Sequence, residues 1–295
     1  MSRTASPAVA RFLPIGAMVL AMLSVQSGAA IAKRLFPLVG SEGATTLRLV
    51  ISAALIVVVW RPWKAKITRA NALPLIGYGV ALGTMNLTFY LALRTIPLGI
   101  AVAIEFIGPL TVALLQSRRP IDFLWVGLAV AGLLLLLPIG GLSKGLDPAG
   151  VGFALVAGVC WALYIVFGQK AGAEHGGRTV ALGSLIAALL VTPFGVARAG
   201  LGLIDPHVLP IGLAVALLSS AIPYSLEMFA LTRVPTRVFG TLMSLEPAIG
   251  AMTAFLIIGE RLSPIQILAI ALVIAASVGV VAVGERKAAE PELMT

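Results

Sequence analysis

The chain has 295 residues, of which 59 % are hydrophobic and only 11 % charged, and its mean hydropathy is +1.05. A soluble domain carries about 25 % charged residues, so this composition excludes one and reads as an all-α polytopic membrane protein. The net charge of +9 falls in short loops, which argues for basic cytoplasmic segments and against a nucleic-acid partner. The lone cysteine, Cys160, lies in an apolar run, excludes an intramolecular disulfide and reads as a small buried hydrophobe.

Runs of roughly 17–25 apolar residues cross a bilayer as helices. Ten such spans are read, over 13–32, 43–60, 73–93, 98–117, 121–139, 149–168, 178–197, 208–230, 238–258 and 264–283. The first has basic flanks and an Ala-x-Ala pattern at Ala30–Ala32, as a cleaved signal peptide has. It is nonetheless expected to stay, because the repeat described below needs it. The second carries Arg48, which either snorkels outward or serves as the cationic counterpart of the membrane acids. In the third, Gly79 and Gly83 form a GxxxG pair suited to close helix packing. Pro74, Pro148, Pro210 and Pro264 fall near helix starts, where a missing N–H costs little. Connections are short, so successive helices are neighbours.

Lysine and arginine set the orientation. With the N-terminus inside, the inner segments hold Arg3, Arg11, Arg61, Lys64, Lys66, Arg69, Arg118, Arg119, Lys170, Arg178, Arg233, Arg237, Arg286 and Lys287. The outer ones hold Lys33, Arg34, Arg94, Lys144, Arg198 and Arg261. Fourteen against six places both termini in the cytoplasm.

The halves resemble each other. "ALRTIP" at 92–97 aligns with "ALTRVP" at 230–235, and Pro109 meets Pro247 at the same offset of 138. "SAALIV" at 52–57 matches "IAALLV" at 186–191, and Lys33 parallels Lys170. The expected organisation is a first repeat over 13–139, a second over 149–283 and a cytoplasmic tail over 284–295. Five helices per repeat is an odd number, so the second half must lie upside down relative to the first. Inverted repeats of this kind build many secondary transporters, with substrate bound near the midplane between them.

Three carboxylates fall within spans: Glu105, Glu227 and Glu246. Each costs about 2.5–3.5 kcal/mol at the bilayer centre, so such a group faces a wet cavity, pairs with another helix or sits near the interface. Glu246 maps onto Gly108, which shares a helix face with Glu105, so both acids project from equivalent faces. Glu227 lies about one turn from the basic loop at Arg233 and is the possible structural acid. Pro109 cannot donate to the carbonyl of Glu105, nor Pro247 to that of Met243. Each half thus frees one carbonyl beside an acid, to be met by substrate, water or a packing partner. Gln26, Asn86, Tyr90, Trp161, Tyr164, Ser220 and Tyr224 are further candidates for the site. Asn86 and Tyr224 are equivalent at offset 138.

Metalloprotease and nucleotide-binding motifs are not found: there is no HExxH and no P-loop. His175 and His207 fall on opposite sides by this topology, so no metal site is expected. No cofactor is expected either, and transport would run on an ion or substrate gradient.

With these residues in view, the chain resembles the drug/metabolite transporter superfamily, whose ten-helix members carry two EamA-type repeats. Within it the resemblance is to the bacterial threonine/homoserine exporters of the inner membrane. It runs from "FPLVG" at 36–40 to "LSPIQ" at 262–266. It is densest over 97–123, "GQKAGAEHG" at 168–176, "GSLIAALLVTPFG" at 183–195, 223–248 and "GERLSP" at 259–264. The resemblance implies export of small neutral amino acids by alternating access; the expected partners are an amino acid, the bilayer and protons, with no nucleic acid. Efflux of lipophilic cations or other metabolites by the same fold is the alternative. It asks for a wider aromatic cavity than 6 % aromatics spread over all helices suggests.

Single cysteines placed in the 62–70 loop are expected to label only from the cytoplasmic side, and those in the 140–147 loop only from outside. Labelling of both loops from one side would contradict the inverted arrangement.

Overall fold

In the computed structural model the described residues are 7–65, 67–115, 121–136, 146–231, 243 and 245–289, and their regular structure is helical throughout. The helices are α1 (Pro7–Ala32), α2 (Phe36–Trp60), α3 (Arg69–Ala92), α4 (Leu98–Glu105), α5 (Ile107–Leu115), α6 (Asp122–Leu136), α7 (Pro148–His175), α8 (Gly177–Ala199), α9 (Val208–Ala216), α10 (Ile222–Leu231), α11 (Glu246–Thr253) and α12 (Pro264–Ala289). Helix is described over all or part of each of the ten expected spans. Five stretches are long and apolar enough by themselves to cross a membrane: Leu13–Trp60, Ala72–Ala92, Pro148–Gly172, Gly177–Ile204 and Val208–Glu227.

Local chemistry sets the ends. Pro148 opens α7, and the Asp147 side chain accepts from the N–H groups of Ala149 and Gly150 at 3.3 and 3.1 Å. The Thr95 hydroxyl, together with these amides, holds the Asp147 carboxyl below the usual carboxylate range. Gly40 breaks the start of α2 at φ +72°, a conformation that glycine adopts without strain.

Several spans differ from expectation. The fourth is split, because Pro109 interrupts the helix and leaves Phe106 as a turn between α4 and α5. The eighth contains a π-helical turn, Leu217–Ala221, between α9 and α10, and a second, Ala254–Ile258, follows α11. Helix α3 begins at Arg69, so Pro74 lies inside it. Helix α7 runs on to His175, and α12 to Ala289, so the expected tail from 284 begins as helix. Hydropathy marks where the membrane stops, whereas backbone hydrogen bonding continues into water. Arg3, Lys66, Arg118, Arg119, Lys144, Arg233 and Arg237 lie outside the described residues.

Contacts at the two ends demonstrate the inversion. At one end Lys33, after α1, pairs with Glu260, which also accepts from the N–H of Leu98 at 2.9 Å. There too Arg94 faces Glu42 at 3.6 Å and Arg198 packs on Gly40. At the other end Trp60 packs on Gly177, and Arg178 reaches the Lys64 carbonyl at 3.4 Å. Loops after the first and third spans therefore share a face with loops after the seventh and ninth, as only antiparallel halves allow.

Packing has the matching two-fold pattern. Helix α1 packs on α10, and α3 on α7, two contacts that exchange when the halves are swapped. The pairs α2 with α8, α4 with α11 and α6 with α12 map onto themselves. The GxxxG pair does what its spacing suggests: a Cβ on Gly79 would sit 2.5 Å from Ile186 Cβ, and one on Gly83 3.0 Å from Ala187 Cα. Large apolar side chains such as Val58, Leu73, Leu189 and Leu256 are exposed, an exterior suited to hydrocarbon.

The tightest contact joins α5 to α7. A Cβ on Gly108 would lie 1.9 Å from the Gly158 carbonyl oxygen, while nothing approaches one on Gly152 within 4 Å. Gly108→Ala is therefore expected to destabilise the folded protein by about 1–3 kcal/mol, read as a lower thermal midpoint in detergent. Gly152→Ala should be neutral or slightly stabilising, given alanine's helix preference. Equal midpoints for the two variants would refute this packing.

Candidate functional site

The centre of the molecule holds the polar groups that the spans cannot place in lipid. Gln26, Arg48, Asn86, Glu105, Ser219, Ser220 and Glu246 are all buried, as is Tyr90. They come from α1, α2, α3, α4, the Leu217–Ala221 turn and α11, that is, from both halves.

Arg48 anchors the cluster. It does not snorkel: its side chain runs inward, where Nε donates to Ser220 Oγ at 3.1 Å and a terminal nitrogen donates to the Ser219 carbonyl at 2.7 Å. Its guanidinium lies over the Tyr90 ring, 5.4 Å from the centroid. The Ser219 carbonyl is free for a local reason. Pro223 stands four residues on and has no N–H to donate back to it, and the chain there takes a π-helical turn. The neighbouring carbonyl, Leu218, accepts from the Ser24 hydroxyl at 2.7 Å. Side chains of α1 and α2 thus satisfy the backbone that the turn leaves open. Gly28 lets α1 come close enough, since a Cβ there would fall 2.2 Å from Ser219 Oγ.

The acids surround this anchor. Glu105 interacts electrostatically with Glu246 and Arg48, and no donor among the described residues bonds its carboxylate. Glu246 opens α11, at the positive end of a helix. Its Oε1 accepts from Gln26 Nε2 at 3.1 Å, whereas its Oε2 has no partner. Glu227 interacts with Arg48 and with Glu246. Helix α10 brings this possible structural acid into the same cluster. Among the described residues Arg48 thus interacts with Glu105 and Glu227, and each of those acids with Glu246.

Asn86 donates one amide N–H to the carbonyl of Leu82, one turn back, at 2.8 Å, which leaves its second N–H for the site. Its other neighbour is its repeat equivalent Tyr224, which also stands beside Ser220. Equivalent residues that meet must lie near the two-fold axis. Trp161 meets Phe106 edge-on at 5.9 Å, and Tyr164 stacks on Tyr78 at 4.7 Å with the hydroxyls 3.2 Å apart. These rings wall the cluster on the α7 side.

The carbonyl that Pro109 frees does not complete the site. A Cβ on Gly158 would lie 2.9 Å from the Glu105 carbonyl oxygen, so α7 takes up that oxygen in helix packing. Sequence reasoning missed Pro223 and Ser219, although the rule applied to Pro109 and Pro247 identifies them. It also missed Glu260, Glu42 and Tyr78, whose partners lie far away in sequence.

Two inverted five-helix halves around a buried polar centre are the architecture of a secondary transporter. Residues 148–282 match the EamA-like transporter family. The chain is 56 % identical over 268 residues to "Threonine/homoserine exporter RhtA" of Escherichia coli (strain K12) and of Salmonella typhimurium (strain LT2), covering 91 % of each chain. It is 32 % identical over 197 residues to "Uncharacterized transporter YwfM" of Bacillus subtilis (strain 168), covering 66 % of this chain and 62 % of that one. A solved crystal structure covers 92 % of this chain and 98 % of its own with a TM-score of 0.61 and 16 % identity, a likeness in fold alone. The chain belongs to the EamA-like transporter family, within the drug/metabolite transporter superfamily.

Arg48→Met leaves the Ser219 carbonyl without its donor and Glu105 and Glu227 without their cation. Removing one partner of a buried charged network costs about 3–5 kcal/mol. Arg48→Met is therefore expected to lower folded yield and thermal midpoint sharply, and Arg48→Lys to lower them less. Wild-type stability for Arg48→Met would show that the guanidinium is dispensable to the fold.

Proposed function

We propose that this protein is an inner-membrane exporter of small neutral amino acids, of which threonine and homoserine are the type, working by alternating access with both termini in the cytoplasm. The observation that carries this reading is a 56 % identity, spanning 91 % of the chain, to proteins named as threonine/homoserine exporters. The cluster supports it chemically, because a zwitterion needs both a cation and an acid. Arg48 has five N–H donors, and two of its nitrogens are already engaged with Ser219 and Ser220. Those left over suit the substrate carboxylate. The ammonium suits Glu105 or Glu246, with Asn86, Tyr90, Trp161, Tyr164 and Tyr224 shaping the remainder.

The two repeats, 13–139 and 149–283, would rock about the cluster, since the anchor contacts join one half to the other. The pair Lys33–Glu260, with Glu260 also on the Leu98 N–H, closes the face assigned to the outside by its cations. Export against a gradient needs an energy source, and exchange of a proton on a membrane acid supplies one. No step asks for a cofactor, a metal or bond-making chemistry, so the protein is read as a transporter and not an enzyme.

Proteoliposomes preloaded with L-threonine should accumulate labelled L-threonine and L-homoserine by counterflow. Glu105→Gln keeps the shape and removes the charge. A charge-assisted hydrogen bond is worth about 1.5–3 kcal/mol, so counterflow per folded molecule should fall roughly 10–100-fold. Wild-type counterflow in that variant would remove Glu105 from the site. Absence of amino-acid counterflow in the wild type, with uptake of lipophilic cations instead, would replace the amino-acid reading with the cation one.

A further inference from the structure

The pair Gln26–Glu246 is half made. One planar amide and one planar carboxyl are joined by a single bond, Gln26 Nε2 to Glu246 Oε1 at 3.1 Å. Gln26 Oε1 and Glu246 Oε2 are both fully buried, and neither has a hydrogen-bond partner among the described residues. Both are acceptors, so they cannot satisfy each other. Among the described residues no donor reaches either oxygen, and a Cβ on Gly250, one turn along α11 from Glu246, would lie 3.4 Å from Gln26 Oε1 and 3.3 Å from the Val102 side chain. Two orphaned buried acceptors in contact groups are an uncommon arrangement.

We propose that Gln26 and Glu246 together form the proton-binding site of the transporter, and that the substrate ammonium competes with the proton for it. This deepens the export reading and rests on it for the ammonium half only. A proton on Glu246 Oε2 donates to Gln26 Oε1 and closes the pair into a ring with two hydrogen bonds. One proton thereby satisfies both orphans. An ammonium brings N–H donors to the same two oxygens, and the proton then leaves Oε2 for water on the open side. Proton and amino acid occupy the pair in turn, which is the requirement for obligatory exchange.

The charged surroundings favour this assignment. Glu105 of α4 and Glu227 of α10 face Glu246, and Arg48 of α2 interacts with both of those acids. With one guanidinium among three carboxylates, a fully ionised cluster is doubly negative in a low-dielectric interior. Either a proton or an ammonium reduces that charge. Glu246 alone of the three acids is joined to a neutral amide that can donate to it and accept from it. Gln26 is the positioning residue: it presents one donor and one acceptor and acts through Glu246.

The test is an infrared pH titration of the purified full-length protein, followed at the carboxylic-acid C=O band and at the side-chain amide band of isotope-labelled glutamine. The wild type should show a titrating carboxylic-acid band, absent from Glu246→Gln, whose appearance moves a glutamine amide C=O band to lower frequency. In Gln26→Leu, or in Gln26→Met if the first variant folds poorly, the acid band should persist at higher frequency because its C=O has lost the N–H donor. The coupled amide signal should vanish. A wild type with no band removed by Glu246→Gln, or an acid band unmoved in both Gln26 variants, would overturn the proposal. L-Threonine added to the wild type in weakly buffered detergent solution should release about one proton per bound molecule. Binding without release would overturn the competition and leave the export reading standing. No binding of threonine beside an intact infrared signature would overturn the substrate and retain the proton site.

Discussion

The bond from Arg48 to the backbone of the Leu217–Ala221 turn is the constraint on which the rest depends. A guanidinium in the middle of a bilayer-spanning bundle is tolerated only if its donors are met. The acceptors that meet it, the Ser219 carbonyl and the Ser220 hydroxyl, belong to the opposite half of the chain. The Ser219 carbonyl is open to it because Pro223 has no N–H to donate back and a π-turn forms there. A defect in one repeat and a charge in the other are thus mutually satisfying. The bond fixes the register of the second span against the eighth, and it brings Tyr90, Glu105 and Glu227 around a single cation.

Symmetry of the frame and asymmetry of the charges divide the work. The helix pairings are closed under exchange of the halves, so the central helices meet about a two-fold axis. The polar groups are not symmetric: Glu246 corresponds to Gly108, and Gln26 in α1 lies close to the equivalent of Tyr164 in α7. Glycine at 108 permits the near-contact of α5 with α7, whereas glutamate at the matching place puts an acid beside α1. One side of the axis is packed tightly and the other carries titratable chemistry. That division suits a protein that must keep its scaffold while its site changes charge.

Much of this was legible in the residues. Spans followed from hydropathy, inversion from an odd number of helices per repeat, and helix packing at Gly79 and Gly83 from spacing. The acids Glu105 and Glu246 were legible because charge in an apolar run is costly and therefore conspicuous. What stayed hidden depends on direction. The sequence leaves open whether Arg48 turns outward or inward, and α9 and α10 decide it. It suggests a lone structural role for Glu227, because the nearby Arg233 is visible along the chain and Arg48 is not. It identifies the carbonyl freed by Pro109 but not the close packing of α7 at Gly158 against it. The breaks at Phe106 and at Leu217–Ala221 interrupt runs that hydropathy reads as continuous, since a proline changes hydrogen bonding without changing apolar character.

The central claim is that one buried cluster, built by both halves around Arg48, is where the amino acid is carried. An experimental structure of the protein at saturating L-threonine tests it most directly. The account predicts the amino acid near the two-fold axis, its carboxylate on Arg48 and its ammonium within hydrogen-bond distance of Glu105 or Glu246. Density for the amino acid elsewhere, with Arg48 and both acids closed upon one another, would contradict it.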